Sequence, residues 1–95
     1  MRENMKLFIK ECNNKIKKEH TKINIWKKRI SECESIISIV SQTDSSASVQ
    51  MYRNKIDEYL IKIDNSLEEI RHNESIKLTM RDVDKIIKRG GKKCA

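Results

Sequence analysis

The chain has 95 residues and a formal net charge of +7, with 37% charged residues, 4% aromatic residues and no proline. A chain of this length allows one small domain with a limited core, and this composition disfavours a sheet-based fold and favours long exposed helices. The sequence contains no glycine-rich phosphate loop and no nucleophile beside a placed base. It therefore predicts no enzyme activity, no catalytic residues and no cofactor.

The first third of the chain carries an apolar heptad pattern. Isoleucine recurs every seven residues from Ile9 to Ile37, and a second set of seam positions follows each isoleucine by three residues. This alternation of three and four residues is typical of a coiled-coil seam. It predicts a first helix over about 3–41. The expected core face consists of Ile9, Ile16, Ile23, Trp26, Ile30 and Ile37. Glu19 is the polar exception in the seam, and such a residue is expected to set the register between helices.

A run of small and polar residues, Ser41 to Ala47, follows this pattern. Serine, threonine and aspartate side chains compete for backbone hydrogen bonds, so they favour helix ends over helix interiors. The run predicts a turn at about 42–46, with Asp44, Ser45 or Ser46 capping the next helix.

The second helix is predicted over about 47–72. Its expected core face consists of Tyr52, Ile56, Ile63, Leu67 and Ile70. After Ile70 the apolar residues fall out of step, so the helix either continues with a change of face or kinks near Asn73 into a segment over 76–89. Residues 79–82 resemble a capping box that would start a third helix. Gly90 and Gly91 predict the end of the helix, with a tail over 90–95.

Two amphipathic helices of similar length joined by a short polar turn are expected to fold back on each other. Residues 1–41 carry ten Lys/Arg and five Asp/Glu, whereas residues 42–72 carry four and six, so a basic helix would lie against an acidic one. The predicted fold is therefore all-α, a single antiparallel helical hairpin. Apolar residues beside the seam, such as Phe8 and Ile25, widen the stripe beyond a two-helix contact. We expect self-association or a partner helical chain to complete a bundle.

Two clusters of positive charge define a second hypothesis. They are Lys15, Lys17 and Lys18, and Lys27, Lys28 and Arg29. Such clusters can contact phosphates, so the alternative function is a small basic nucleic-acid-binding or regulatory protein that uses the hairpin to dimerise. They are also typical of the solvated side of an amphipathic helix. The three cysteines lack the close spacing of zinc ligands, and no metal site is predicted.

The stretch DSSASVQMYRNKIDEYL, residues 44–60, combines a small-residue turn with an aromatic residue, Tyr52, at the start of the second helix. With the hairpin layout, it resembles the WXG100 (ESX-type) proteins of type VII secretion and the small helical partners of LXG toxins. Asp44, Ser45 and Ser46 stand where that family has Trp-x-Gly, and the family's Tyr-x-x-x-Asp/Glu signal is absent. The resemblance implies a non-enzymatic adaptor or targeting chaperone for a larger secreted protein.

No apolar run in residues 1–40 is long enough for a signal peptide, and none approaches a membrane span. The expected location is the cytoplasm, or export by a route that reads no cleavable leader.

Overall fold

A computed structural model describes the backbone of residues 2–43 and 46–94, with side-chain surroundings as far as residue 89. In these ranges the chain forms helix α1 (Glu3–Val40), a short 3-10 turn (Ser41–Thr43) and helix α2 (Ser46–Cys94), without any strand. The all-α prediction is confirmed. Two of the three predicted capping residues, Asp44 and Ser45, lie outside the described residues.

The two helices lie side by side. At about 1.5 Å per residue, α1 is roughly 57 Å long and α2 roughly 74 Å long. The whole chain measures only 78 × 15 × 13 Å, which is close to the length of α2 alone and about two helices wide. The chain must therefore reverse direction at the turn, consistent with the predicted hairpin.

At the end of α1, where the turn begins, hydroxyl side chains donate hydrogen bonds to backbone carbonyl groups. The Ser41 hydroxyl donates to the Ser38 carbonyl at 3.1 Å, and the Thr43 hydroxyl donates to the Val40 carbonyl at 2.8 Å. The Ser41 backbone N–H also bonds the carbonyls of Ile37 and Ile39. These bonds satisfy carbonyl groups that a helix end would otherwise leave without a partner.

α1 turns its heptad positions toward α2. Cys12, Ile16, Ile23 and Cys33 are buried. The other predicted core residues of this helix, Ile9, Trp26, Ile30 and Ile37, are half-buried. A pair of helices shields only one side of each seam, which explains why no large side chain in the described residues is fully enclosed.

α2 continues the alternation of three and four residues from Val49 to Asp84, with polar residues at several seam positions. The buried or half-buried positions in this series are Val49, Tyr52, Ile56, Tyr59, Ile63, Ser66, Ile70, Asn73, Lys77, Met80 and Asp84. The helix is uninterrupted through Asn73, and the same face stays buried on both sides of that residue. The seam positions continue at the same spacing, and Asn73, Lys77 and Asp84 occupy three of them in place of hydrophobic residues. The apolar pattern in the sequence therefore falls out of step although the buried face does not.

Three predictions for α2 differ from the structure. The sequence pattern predicts Leu67 on the core face, but Leu67 is 37% exposed, and the adjacent Ser66 occupies the seam at 3% exposure. The capping-box prediction at 79–82 is wrong because the Thr79 hydroxyl bonds the Ser75 carbonyl at 3.0 Å within an uninterrupted helix. The helix also runs past Gly90 and Gly91 to Cys94. Glycine weakens a helix by about 1 kcal/mol relative to alanine, but it keeps the N–H group that proline lacks.

A polar contact between the helices shows which of their residues are level. The Ser66 hydroxyl of α2 hydrogen-bonds the Glu19 carboxylate of α1. In an antiparallel pair, each step along α1 from Glu19 is matched by a step in the opposite direction along α2 from Ser66. Cys12 is therefore level with Asn73, and Cys33 is level with Tyr52. The part of α2 beyond Asp84 extends past the start of α1.

Over the residues that the structure describes, neither helix combines the length and the apolar character needed to cross a membrane.

Candidate interaction face

An open groove lies between the helices near the middle of the hairpin. It is lined by Glu19, Lys22, Trp26, Lys62, Asn65, Ser66 and Glu69. The half-buried Trp26 contributes an aromatic surface to it. We call the side of the hairpin on which this groove opens the groove face. An aromatic ring between charged side chains, at the centre of an elongated surface, is a common arrangement for a binding anchor.

Glu19 is held in place at the floor of the groove. It accepts a hydrogen bond from Ser66 and another from Lys22, whose Nζ lies 3.1 Å from its Oε1. These two hydrogen bonds, followed by the positive charge of Lys22, lower the pKa of Glu19, and they outweigh the opposing effect of burial. The carboxylate is therefore ionised at neutral pH. It links the two helices by a charged hydrogen bond rather than by apolar contact.

Helix geometry shows which other residues lie on the groove face. Residues that follow one another at alternating intervals of three and four lie on the same side of a helix, so counting in this way from Lys22 on α1 and from Lys62 on α2 gives the members of the face. On α1 the described set is Asn4, Phe8, Glu11, Lys15, Lys18, Lys22, Ile25, Arg29, Glu32, Ile36 and Ile39. On α2 the set is Ser48, Met51, Lys55, Glu58, Lys62, Asn65, Glu69, His72, Ile76, Thr79, Val83 and Ile86. A second surface hollow, lined by Ile25, Lys28, Arg29 and Glu32, lies along the same side of α1.

Half of the twelve exposed large hydrophobic residues among the described residues lie on this face. Its members with exposed side chains are Phe8, Ile25, Ile39, Met51, Val83 and Ile86, with exposures from 40% for Val83 to 66% for Ile39. Ile36 and Ile76 on the same face are half-buried. The opposite side carries Leu60, Leu67 and Leu78. The groove face is thus the more apolar of the two broad sides of the hairpin.

The predicted basic clusters are exposed, but they do not form one surface. Lys15, Lys18 and Arg29 lie on the groove face, Lys17 and Lys27 lie on the opposite side, and Lys28 points outward between them. Neighbouring helix residues are separated by about 100°, so a run of adjacent lysines surrounds the helix. The clusters therefore divide between two faces.

The ion pairs between described residues join residues of the same helix. Lys22 pairs with Glu19, Arg29 with Glu32 at 3.5 Å, and Lys77 with Glu74 at 3.5 Å. The basic α1 does lie beside the acidic part of α2, as the charge distribution predicts. Their attraction acts without a direct ion pair between the helices in the described ranges.

Sequence reasoning missed the polar residues of the α2 seam. Ser66, Asn73 and Asp84 are buried to 3%, 4% and 8% exposure. The Asn73 amide donates to the Glu69 carbonyl at 2.8 Å, one turn earlier in its own helix. The available signal was the spacing itself. A heptad counted from Ile56 through Ile63 and Ile70 continues to Asp84, and the series counted from Tyr59 continues to Ser66 and Asn73.

The described residues contain no group of three or more His, Cys, Asp or Glu side chains arranged to hold a metal ion. Cys12 and Cys33 are buried free thiols. Comparison of the chain with protein-family models, with curated proteins and with solved structures gave no match in any of the three.

Proposed function

We propose that the chain is a non-enzymatic protein–protein interaction module, a helical hairpin that a further helical chain completes into a bundle. The observation that supports this proposal most directly is the exposed apolar surface of the hairpin. Twelve large hydrophobic side chains are more than one-third exposed among the described residues. Single exposed hydrophobic residues are common, but several along one face mark a binding surface.

The surface area supports the same proposal. A compact monomer of 11.2 kDa exposes about 5,700 Å², whereas this chain exposes 7453 Å². The difference of roughly 1,750 Å² exceeds the approximately 800 Å² that each partner buries in a protein–protein interface of standard size. The hairpin therefore has enough surplus surface to bind another helical chain without unfolding.

The resemblance to type VII secretion proteins extends the proposal to a role. An adaptor or targeting chaperone for a larger secreted protein would use such a hairpin to hold a helical segment of that protein. In this proposal Trp26 is the central anchor, because it lines the groove near the middle of the hairpin and is only half-buried.

The test is isolation of the native complex from its source, followed by mass measurement at low and high salt. A stoichiometric protein partner that survives high salt is the expected result. Nucleic acid that is released steeply as salt rises would overturn the proposal in favour of the phosphate-binding alternative.

A second measurement uses the Trp26→Ala variant. Loss of a central aromatic anchor is expected to weaken partner binding by about 2 kcal/mol, or roughly thirtyfold. Trp26→Phe keeps an aromatic ring and serves as the matched control, with circular dichroism verifying the helix content of both. Unchanged partner affinity in Trp26→Ala would show that the groove is not the binding site.

A further inference from the structure

We infer that the groove face binds a different helical chain, one with an apolar contact stripe that is flanked by acidic residues at its centre. The inference rests on the proposed function and adds the face used and the chemistry of the partner.

The charge of the groove face is concentrated at its centre. Over residues 15–30 of α1 and the level residues 55–70 of α2, the groove face carries six basic residues against two acidic ones, Glu58 and Glu69, and Glu19 adds a third carboxylate inside the groove. The six basic residues are Lys15, Lys18, Lys22, Arg29, Lys55 and Lys62. The opposite side of the same stretch is balanced, with Lys17 and Lys27 against Asp57 and Asp64.

Most of this positive charge is available to a partner. Lys22 and Arg29 are paired with carboxylates of their own helix, whereas Lys15, Lys18, Lys55 and Lys62 have no carboxylate within ion-pair distance among the described residues. Lys55 lies 5.3 Å from the ring centre of Tyr52, and Lys62 lies 5.6 Å from that of Tyr59. These cation–π contacts position two lysines on the face without neutralising them.

This central charge disfavours a second copy of the chain on the same face. A two-fold dimer places the same patch on both subunits. Because the basic stretch lies near the middle of the hairpin, either orientation of the dimer brings six Lys/Arg against six more. Juxtaposed like charges disfavour a pairing by several kcal/mol, and an acidic surface at the same place favours it.

Apolar residues at both ends set the minimum length of the partner. Phe8, Val83 and Ile86 lie toward the open end, and Ile39 and Met51 lie near the turn. The rise along α1 from Phe8 to Ile36 is roughly 42 Å at about 1.5 Å per residue. A single long helix, or another hairpin, spans that distance while keeping its own backbone hydrogen-bonded.

The test uses two synthetic helices of about four heptads. They share one Leu/Ile seam and carry either Glu or Lys at the positions flanking it. Each is titrated into the full chain at low salt, and binding is followed by the fluorescence of Trp26, the single tryptophan. The acidic helix is expected to bind at least about tenfold more tightly than its basic twin, and the difference is expected to shrink as salt is added.

Charge-reversal variants on the two sides of the hairpin test which side binds the acidic helix. Lys18→Glu/Lys62→Glu, with one change on each helix of the groove face, is expected to weaken binding of the acidic helix about tenfold. Lys17→Glu/Arg71→Glu makes the matched change on the opposite side and is expected to alter it less than about threefold. Circular dichroism of both variants establishes that the hairpin remains helical.

Several results would overturn the inference: equal binding of the twin helices, no binding of either, or equal effects of the two double variants. A dimer of the full chain in light scattering that Lys18→Glu/Lys62→Glu alters would show that a second copy occupies the face. If the native complex keeps its protein partner in both double variants, the proposed function as an interaction module is supported, but the groove face is not the binding surface. If no protein partner is found, the proposed function itself is wrong.

Discussion

Ile23 and Ile25 offer a direct test of the packing, because the same substitution at neighbouring positions should have different effects. Ile23 lies in the seam at 4% exposure, whereas Ile25 lies on the groove face at 51% exposure. Ile23→Ala removes three buried carbon atoms, or about 2.4 kcal/mol at about 0.8 kcal/mol for each buried carbon. The higher helix propensity of alanine offsets about 0.4 kcal/mol of this loss. The expected loss in the free energy of unfolding is therefore about 2 kcal/mol for Ile23→Ala.

Ile25→Ala is expected to cost less than about 1 kcal/mol, because its side chain is already half in water and gains the same propensity. Both variants are measured by urea unfolding with far-ultraviolet circular dichroism, at concentrations where light scattering shows a single chain. Equal losses at the two positions would refute the seam assignment. A larger loss at Ile25 would indicate that the chain packs through its groove face even when it is alone.

Two further predictions concern the polar residues of the seam. Since the folded pKa of Glu19 lies below the ordinary value of 4.5, its ionised form stabilises the hairpin above that pH, and the contribution is lost as pH falls through the folded pKa. Glu19→Gln should flatten this acid-side slope in urea unfolding measured across pH, and an unchanged slope would contradict the role of the Ser66 and Lys22 hydrogen bonds. Asn73→Leu should raise the free energy of unfolding by about 1 to 2 kcal/mol, because it replaces a buried amide by a hydrocarbon while the Glu69 carbonyl stays in the helix ladder. A loss of stability in that variant would mean that Asn73 has a partner beyond its own helix.

The fold was predictable where hydrophobic residues themselves occupy the seam. In α1 an isoleucine occupies every seventh position from Ile9 to Ile37, so hydrophobicity and spacing identify the same seam residues. In α2 beyond Ile63, hydrophobicity and spacing identify different residues. Leu67 and Ser66 follow Ile63 at four and three residues, and hydrophobicity alone selects Leu67. The structure places Ser66 in the seam because its hydroxyl bonds Glu19 on the other helix, a contact that becomes visible only when both helices are present.

The candidate site was predictable only in part for the same reason. Trp26 and the basic residues of α1 could be read from one helix. Lys62 and Lys55 could not be assigned to their side, because a face of the hairpin is shared between two helices whose register must be known first. The Glu19–Ser66 contact reveals that register, and a single sequence shows only that Glu19 interrupts an apolar pattern.

The antiparallel register also bears on the order in which the molecule folds. Cys33 and Tyr52 are level near the turn and separated by a short loop, whereas Met5 and Met80 are level near the open end and separated by a loop about four times longer. The entropy of closing a loop grows with the logarithm of its length, so first contact at the open end costs about 1 kcal/mol more than first contact near the turn. We therefore expect pairing of the helices to begin next to Ser41–Thr43 and to proceed toward the open end. Native-state hydrogen exchange is expected to show the same gradient along both helices, with the weakest protection at the open end.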